Sequence, residues 1–246
     1  MSKIIRGEML KGKRSFGRKS LILFPLLVSG MAIFLMGGEL TQIGAYNWWY
    51  MLLLPMVVGL VCTNLVDADK RLGFYNCNVL PISPAKMWHG KIWTGLLYLV
   101  FSNAVVFGLT TLSGLLFPSQ YPLWRGLAAG IVLTVTWAWQ IPLGLYLATR
   151  FHSVVTFLSI LFLNIFCSSQ SIAGGAFWYV PFAIAPRLMA PVIHINPNGV
   201  PLEAGSPLYD AGVVLPGLIL TLLFLLASSF LSTRWFSKGG RYRETI

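Results

Sequence analysis

The sequence predicts an all-α integral membrane protein, and three observations carry that reading. Six runs, residues 20–38, 40–66, 92–124, 126–149, 151–186 and 211–233, contain no Asp, Glu, Lys or Arg. Each is long enough to cross a hydrocarbon core of about 30 Å, which takes about 20 apolar residues as a helix. The 246 residues are 56% hydrophobic and only 10% charged, too few polar side chains to clothe a water-soluble domain of that size. The charges that exist fall between the runs.

Their placement predicts orientation, because Lys and Arg are retained on the cytoplasmic side in short segments near spans. With the N-terminus inside, all of the 18 basic residues except Arg125 and Arg187 lie inside. Both termini are therefore expected in the cytoplasm. The net charge of +11 is accounted for by anionic lipid headgroups and does not call for nucleic acid as a partner.

Residues 1–19 read as an interfacial elbow helix. Ile5, Met9 and Phe16 fall near one face with Lys and Arg on the others, the pattern of a helix lying along a leaflet. Gly7, Gly12 and Gly17 weaken it, each by about 1 kcal/mol relative to Ala in a helix interior. Gly7-Glu-Met-Leu-Lys-Gly12-Lys13 matches G-x-x-x-x-G-K, but Arg14 stands where a phosphate-binding loop needs Ser or Thr. The segment reads as a basic surface stretch, and the chain is not expected to hydrolyse ATP.

The first span is 20–38. A cleaved signal peptide is the competing reading, but the basic stretch before it is too long and no A-x-A-like site follows Met36. The second span, 48–66, opens on the aromatic cluster Asn47-Trp48-Trp49-Tyr50, of the kind that sits at a membrane–water boundary. Residues 67–91 form the largest internal segment, where a partner would dock; its candidates are Asp67, Asp69, Lys70, Arg71, Lys86 and Trp88. Pro81 and Pro84 interrupt any helix between them. Ser83 followed by Pro84 reads as an N-cap with proline at the first helical position, so a helix starting there runs into the third span, 92–117.

A short external turn with Arg125 leads to the fourth span, 126–148, which opens on the close-packing pattern Gly126-Leu-Ala-Ala-Gly130. The fifth span is expected at 152–171. Beyond Asn164 the chain turns polar and glycine- and proline-rich, so 172–210 reads as a re-entrant or surface-lying external segment. Irregular backbone at membrane depth is tolerated only where protein or a watery cavity covers it, so this segment should line something. Trp178, Tyr179, Glu203 and Asp210 are its candidates for handling a ligand. The sixth span is 211–233, followed by a basic cytoplasmic tail, 234–246.

No catalytic or metal site emerges. Cys62, Cys77 and Cys167 have no ligand spacing and read as small hydrophobes. His89, His152 and His194 are scattered over three segments. An enzyme using His194 with Glu203 or Asp210 is the weakest reading, since a formal charge at membrane depth costs about 2.5–3.5 kcal/mol on insertion scales.

Several stretches resemble one family. Lys11-Gly-Lys-Arg-Ser-Phe16 leading into Leu21-Ile-Leu-Phe-Pro-Leu26, Asn47-Trp-Trp-Tyr50, Leu80-Pro-Ile-Ser with Lys86, Trp88 and Lys91, and His194-Ile-Asn-Pro-Asn-Gly-Val-Pro-Leu202 are similar to the lantibiotic-immunity ABC-transporter permeases, closest to the E-type subunit of the MutE and EpiE group. The resemblance covers essentially the whole chain and rests on the ordered set, none of whose motifs is catalytic. It implies an ABC-2-type permease fold: an N-terminal amphipathic elbow helix, six transmembrane helices and a re-entrant external hairpin between helices 5 and 6.

It also implies a bacterial cytoplasmic membrane location and two partners, namely a dimeric ATPase subunit that docks on the elbow and on 67–91, and a second, similar permease. This chain would carry no cofactor of its own, ATP and magnesium belonging to the ATPase. The substrate would be a cationic lantibiotic peptide removed from the membrane to give immunity or resistance. An ABC-2-type exporter of another peptide antibiotic or a lipid, and a non-transporting sensory or structural subunit, are the alternatives.

Overall fold

A computed structural model describes residues 1–75, 79, 81–114, 116–117 and 122–239. Among these residues the regular structure is helical, apart from one antiparallel bridge between Ile195 and Pro201. Four helical runs are long and apolar enough to cross a membrane: Phe16–Leu35, Gly38–Lys70, Pro84–Ser113 and Ala211–Ser237. A fifth is obtained if Leu123–Ala138 and Gln140–Arg150, bent by 40° at their junction, are counted together. The expected span at 152–171 is occupied by a helix of 15 residues, Ser153–Cys167.

In chain order the helices are α1 (Ser2–Lys11), α2 (Phe16–Leu35), α3 (Thr41–Trp48), α4 (Leu54–Lys70), α5 (Pro84–Ser113), α6 (Leu123–Ala138), α7 (Gln140–Arg150), α8 (Ser153–Cys167), α9 (Gln170–Ala173), α10 (Ile184–Ile193) and α11 (Val214–Ser237). α1 stops at Gly12, and Phe16 opens α2 behind Ser15, whose hydroxyl accepts from the Arg18 amide at 3.3 Å. The first nineteen residues are thus a short helix plus the start of the next. Ser83 caps α5 as its sequence suggests, accepting from the Lys86 amide at 3.4 Å, and the helix runs unbroken through the stretch from Lys86 to Lys91.

The second long run starts ten residues earlier than the aromatic cluster implies. A 3-10 turn at Gly38–Leu40, α3, a π-turn at Trp49–Leu53 and α4 follow one another without a gap. Trp49 and Tyr50 therefore lie inside the bundle, fully buried, and not at a water boundary. α4 is the central helix, packed on α2, α7 and α8, with 61% of its run's apolar window buried against 11% for the run that contains α11.

Prolines shape two of the long segments. Pro25 lies inside α2 and cannot donate to the carbonyl of Leu21; that carbonyl instead accepts from Ser102 Oγ of α5 at 3.3 Å. Pro142 has no such rescue: its ring crowds the carbonyl of Ala138, where α6 ends, and the chain bends at Trp139. The expected straight span over 126–148 is broken for that reason. The bend brings Gly144 against α4 and α8, where a Cβ would sit 2.7 Å from Cys62 Sγ and 3.1 Å from Ile160 Cδ1.

Gly144→Ala should lower the unfolding temperature of the detergent-purified protein by an overpacking cost of about 1–3 kcal/mol. Gly130→Ala should hold or raise it, because a Cβ there meets nothing within 4 Å and α6 gains up to about 1 kcal/mol on losing an interior glycine. Thermal unfolding followed by circular dichroism checks both.

Candidate functional site

The charges gather at the two ends of the bundle. At the end carrying α1, Lys91 of α5 is fully buried and donates from Nζ to Glu8 Oε2 at 2.8 Å, to the Leu65 carbonyl at 2.6 Å and to Asp69 Oδ2. Lys11 donates to Glu8 Oε1 at 2.7 Å and to Asp69 Oδ1 at 2.9 Å. Each carboxylate therefore bridges both ammonium groups, and the four-membered cluster is neutral. Burial alone would lower the Lys11 ammonium, but Glu8 and Asp69 outweigh it and hold its pKa above the ordinary value.

Glycine makes the cluster possible. Ile4 of α1 sits where a side chain on Gly90 would be, 2.5 Å from the ideal Cβ position, so α1 lies directly on α5 beside Lys91. Nearby, Trp88 is buried, stacked on Phe236 of α11 at 4.5 Å, with Nε1 donating to Ser232 Oγ at 3.0 Å. Of the docking candidates, Asp69 and Trp88 thus work inside the fold, while Arg71 and Lys86 are exposed. Asp67 accepts from Ser153 Oγ at 2.8 Å, and Lys70 donates to the carbonyls of Ala148 and Phe151 at 3.3 and 2.8 Å. Asp67, Lys70 and Arg71 surround a recess of about 400 Å³ together with His152 and Ser153. Cys77, Arg241 and Arg243 lie outside the described residues.

At the opposite end the irregular segment is fastened down. α10 is buried against α6, and Arg187 within it donates to the Leu208 carbonyl at 3.3 Å. The helix ends at His194 in a left-handed conformation, φ 55°, unusual for a residue with a side chain. Arg125 Nη1 lies 3.3 Å from His194 Nδ1, and the Tyr209 ring packs edge-on to the imidazole at 4.9 Å. The turn closed by the Ile195–Pro201 bridge rests on α3, with Gly199 at φ 90° where a Cβ would meet Asn47 Nδ2 at 2.5 Å.

The four ligand-handling candidates are not drawn into one pocket. Trp178 packs half-buried on the core, and Tyr179 pairs with Phe177 at the surface, 52% exposed. Glu203 is exposed, and Asp210 accepts from the Gly212 amide at 2.8 Å. Cys62 and Cys167 are free thiols and buried, and among the described residues no group of His, Cys, Asp or Glu could hold a metal ion.

Between the ends run polar pairs that composition did not single out. Gln140 and Asn164 exchange two amide hydrogen bonds of 3.0 and 2.8 Å between α7 and α8. Trp49 Nε1 donates to Asn103 Oδ1 at 2.8 Å, and Asn103 Nδ2 donates to Thr134 Oγ1 at 3.0 Å. Such bonds between apolar helices are worth about 0.6 kcal/mol on average and up to about 2. The signal was there: Asn103, Gln140 and Asn164 are the Asn and Gln residues within the helices α5 to α8. Glu8 also left a trace, as the only acid before Glu39.

Compared with known proteins, the chain matches no protein-family model, no curated protein and no solved structure.

Lys91→Met should cost about 3–5 kcal/mol by leaving Glu8 and Asp69 with one counter-charge, and adding Asp69→Asn should recover part of it. Unfolding temperature and protease cutting between Gly12 and Ser15 report the change. A second expectation concerns His194. Burial and then Arg125 hold its imidazole below the ordinary value of 6.5. The unfolded segment therefore binds the proton more readily, so this group's contribution is complete above that value and is lost as pH falls through the lower folded pKa. Arg125 from α6 and Tyr209 are the groups facing it. Amide protection factors over 194–202, taken relative to the intrinsic exchange rate at each pH, should fall as the pH is lowered below about 6.5, and His194→Asn, which tolerates the left-handed backbone, should flatten the dependence.

Proposed function

We propose that this chain is the permease subunit of an ABC transporter that expels a cationic lantibiotic from the bacterial cytoplasmic membrane and so confers immunity or resistance. The observation that carries this reading is the two-ended arrangement of the bundle. One end holds a short basic helix clamped by buried charges beside the exposed Arg71 and Lys86. The other holds a long irregular segment pinned to α3 and α6. The ordered motifs from Lys11 to Leu202 add the family resemblance.

In this reading the end with α1 is cytoplasmic and meets a separate ATPase, which supplies ATP and magnesium. Arg71, Lys86 and the recess beside Asp67 and Lys70 form its contact, and the buried cluster carries the push from α1 into α4 and α5. A second permease completes the membrane unit. The external segment meets the peptide: Tyr179 and its neighbour Phe177 offer apolar faces, and Glu203 and Asp210 offer negative charge to a cationic ligand. The six-span count would follow if α8, extended by α9, completes a crossing.

Two measurements test the reading. Deleting the chain from a host that carries it should abolish tolerance to a lantibiotic; unchanged tolerance to every lantibiotic tested would sink the proposal. Arg71→Glu with Lys86→Glu should weaken co-purification of an ATPase subunit by about tenfold, equivalent to about 1.4 kcal/mol, while the unfolding temperature holds.

A further inference from the structure

We infer that the groove between α5 and α6 is a phospholipid site, with one acyl chain lying in the groove and the anionic phosphate held at Arg125. The inference is independent of what the protein transports. The groove encloses about 260 Å³ and is walled by Val100 and Phe107 of α5 and by Leu127 and Ile131 of α6. That is just under the range of about 300–1,000 Å³ typical of small-molecule pockets, and suits one chain segment better than a bulky ligand.

Its floor asks for no water. Asn103 and Thr134 are the polar residues there, and their groups are already used: Asn103 accepts from Trp49 and donates to Thr134 Oγ1, which donates to the Gly130 carbonyl at 2.8 Å. An apolar occupant therefore breaks no hydrogen bond. The two glycines of the Gly126 to Gly130 pair behave differently. A Cβ on Gly126 would meet Phe107 at 3.2 Å and Tyr46 Oη at 3.3 Å, so that glycine serves packing within the chain. A Cβ on Gly130 would meet nothing within 4 Å. Its missing side chain deepens the groove and serves no internal contact.

Charge fixes the occupant. From Leu127 to Val135 the groove runs about 12 Å along α6 at 1.5 Å per residue, less than half of a hydrocarbon core of about 30 Å, so it belongs to one leaflet. At its end, one turn before Leu127 on the same face, stands Trp124, 63% exposed, an amphipathic ring of the kind enriched at headgroup level. The Arg125 guanidinium lies over that ring at 5.4 Å and beside His194. Among the described residues no carboxylate pairs with it. A cation at the headgroup end of a one-leaflet apolar groove matches a phospholipid anion with its chain below.

The test is native mass spectrometry of the detergent-purified chain, stripped of lipid and titrated with phosphatidylglycerol or phosphatidylcholine. The unaltered protein should take up one phosphatidylglycerol and prefer it to phosphatidylcholine. Gly130→Leu, which fills the groove, should weaken uptake by about tenfold, and Arg125→Gln should abolish the preference between the lipids. Ala104→Leu, filling from the α5 side, replaces Gly130→Leu if that variant does not fold, with circular dichroism as the control. Equal uptake by all variants would mean adventitious lipid only and would overturn the assignment. So would a dimer that the groove-filling variants convert to monomer, which would give the groove to a second copy of the chain.

Discussion

Four charges that cannot be left unpaired set the terms for one end of this molecule. Removing a carboxylate and an ammonium from water is costly enough that the pair survives only with tight geometry and every donor used. Lys91 meets that demand with three acceptors, and Lys11 with two carboxylates. Because Glu8 and Lys11 come from α1, Asp69 from the end of α4 and Lys91 from the start of α5, no helix of the three can shift without exposing a charge to apolar surroundings. Replacing all four by hydrophobes could be more stable, but would fix α1 less specifically.

The rest of the bundle is joined by subtler means. Apolar helices in lipid gain little from hiding apolar surface, so close approach and a few polar bonds decide who packs on whom. Gly17 lets α2 meet Asn64 of α4, Gly95 lets α5 meet Ile141 of α7, and Gly217 lets α11 meet Leu188 of α10. The Gln140–Asn164 pair then selects one rotation of α7 against α8, since turning either helix strands an amide.

Much of this was legible in the chain. The charge-free runs located the long helices, and Ser83-Pro84 marked the start of α5, because hydropathy and capping are local properties. The polar stretch beyond Asn164 pointed to an end near Ser171, and α8 stops four residues earlier at Cys167. The buried cluster was not legible as such, since Glu8, Asp69 and Lys91 meet across 83 and 22 positions of sequence and periodicity carries no pairing information. The aromatic cluster misled because Trp and Tyr also suit a buried site when a partner such as Asn103 takes the indole N–H. The bend was available in Pro142 and needed only the question of which carbonyl its ring would crowd.

The shortness of α8 has a mechanical consequence for the surroundings. Fifteen residues rise about 22 Å, against about 30 Å of hydrocarbon. In the six-span reading, lipids flanking this helix would compress, or headgroups and water would follow the chain inward at Ser168 and Ser169. Either response costs only a fraction of a kcal/mol per ångström of mismatch, so in that reading the bilayer would be thinner on this flank of the protein than beside the longer helices. An amphipathic molecule diffusing in the membrane would find its shortest crossing there.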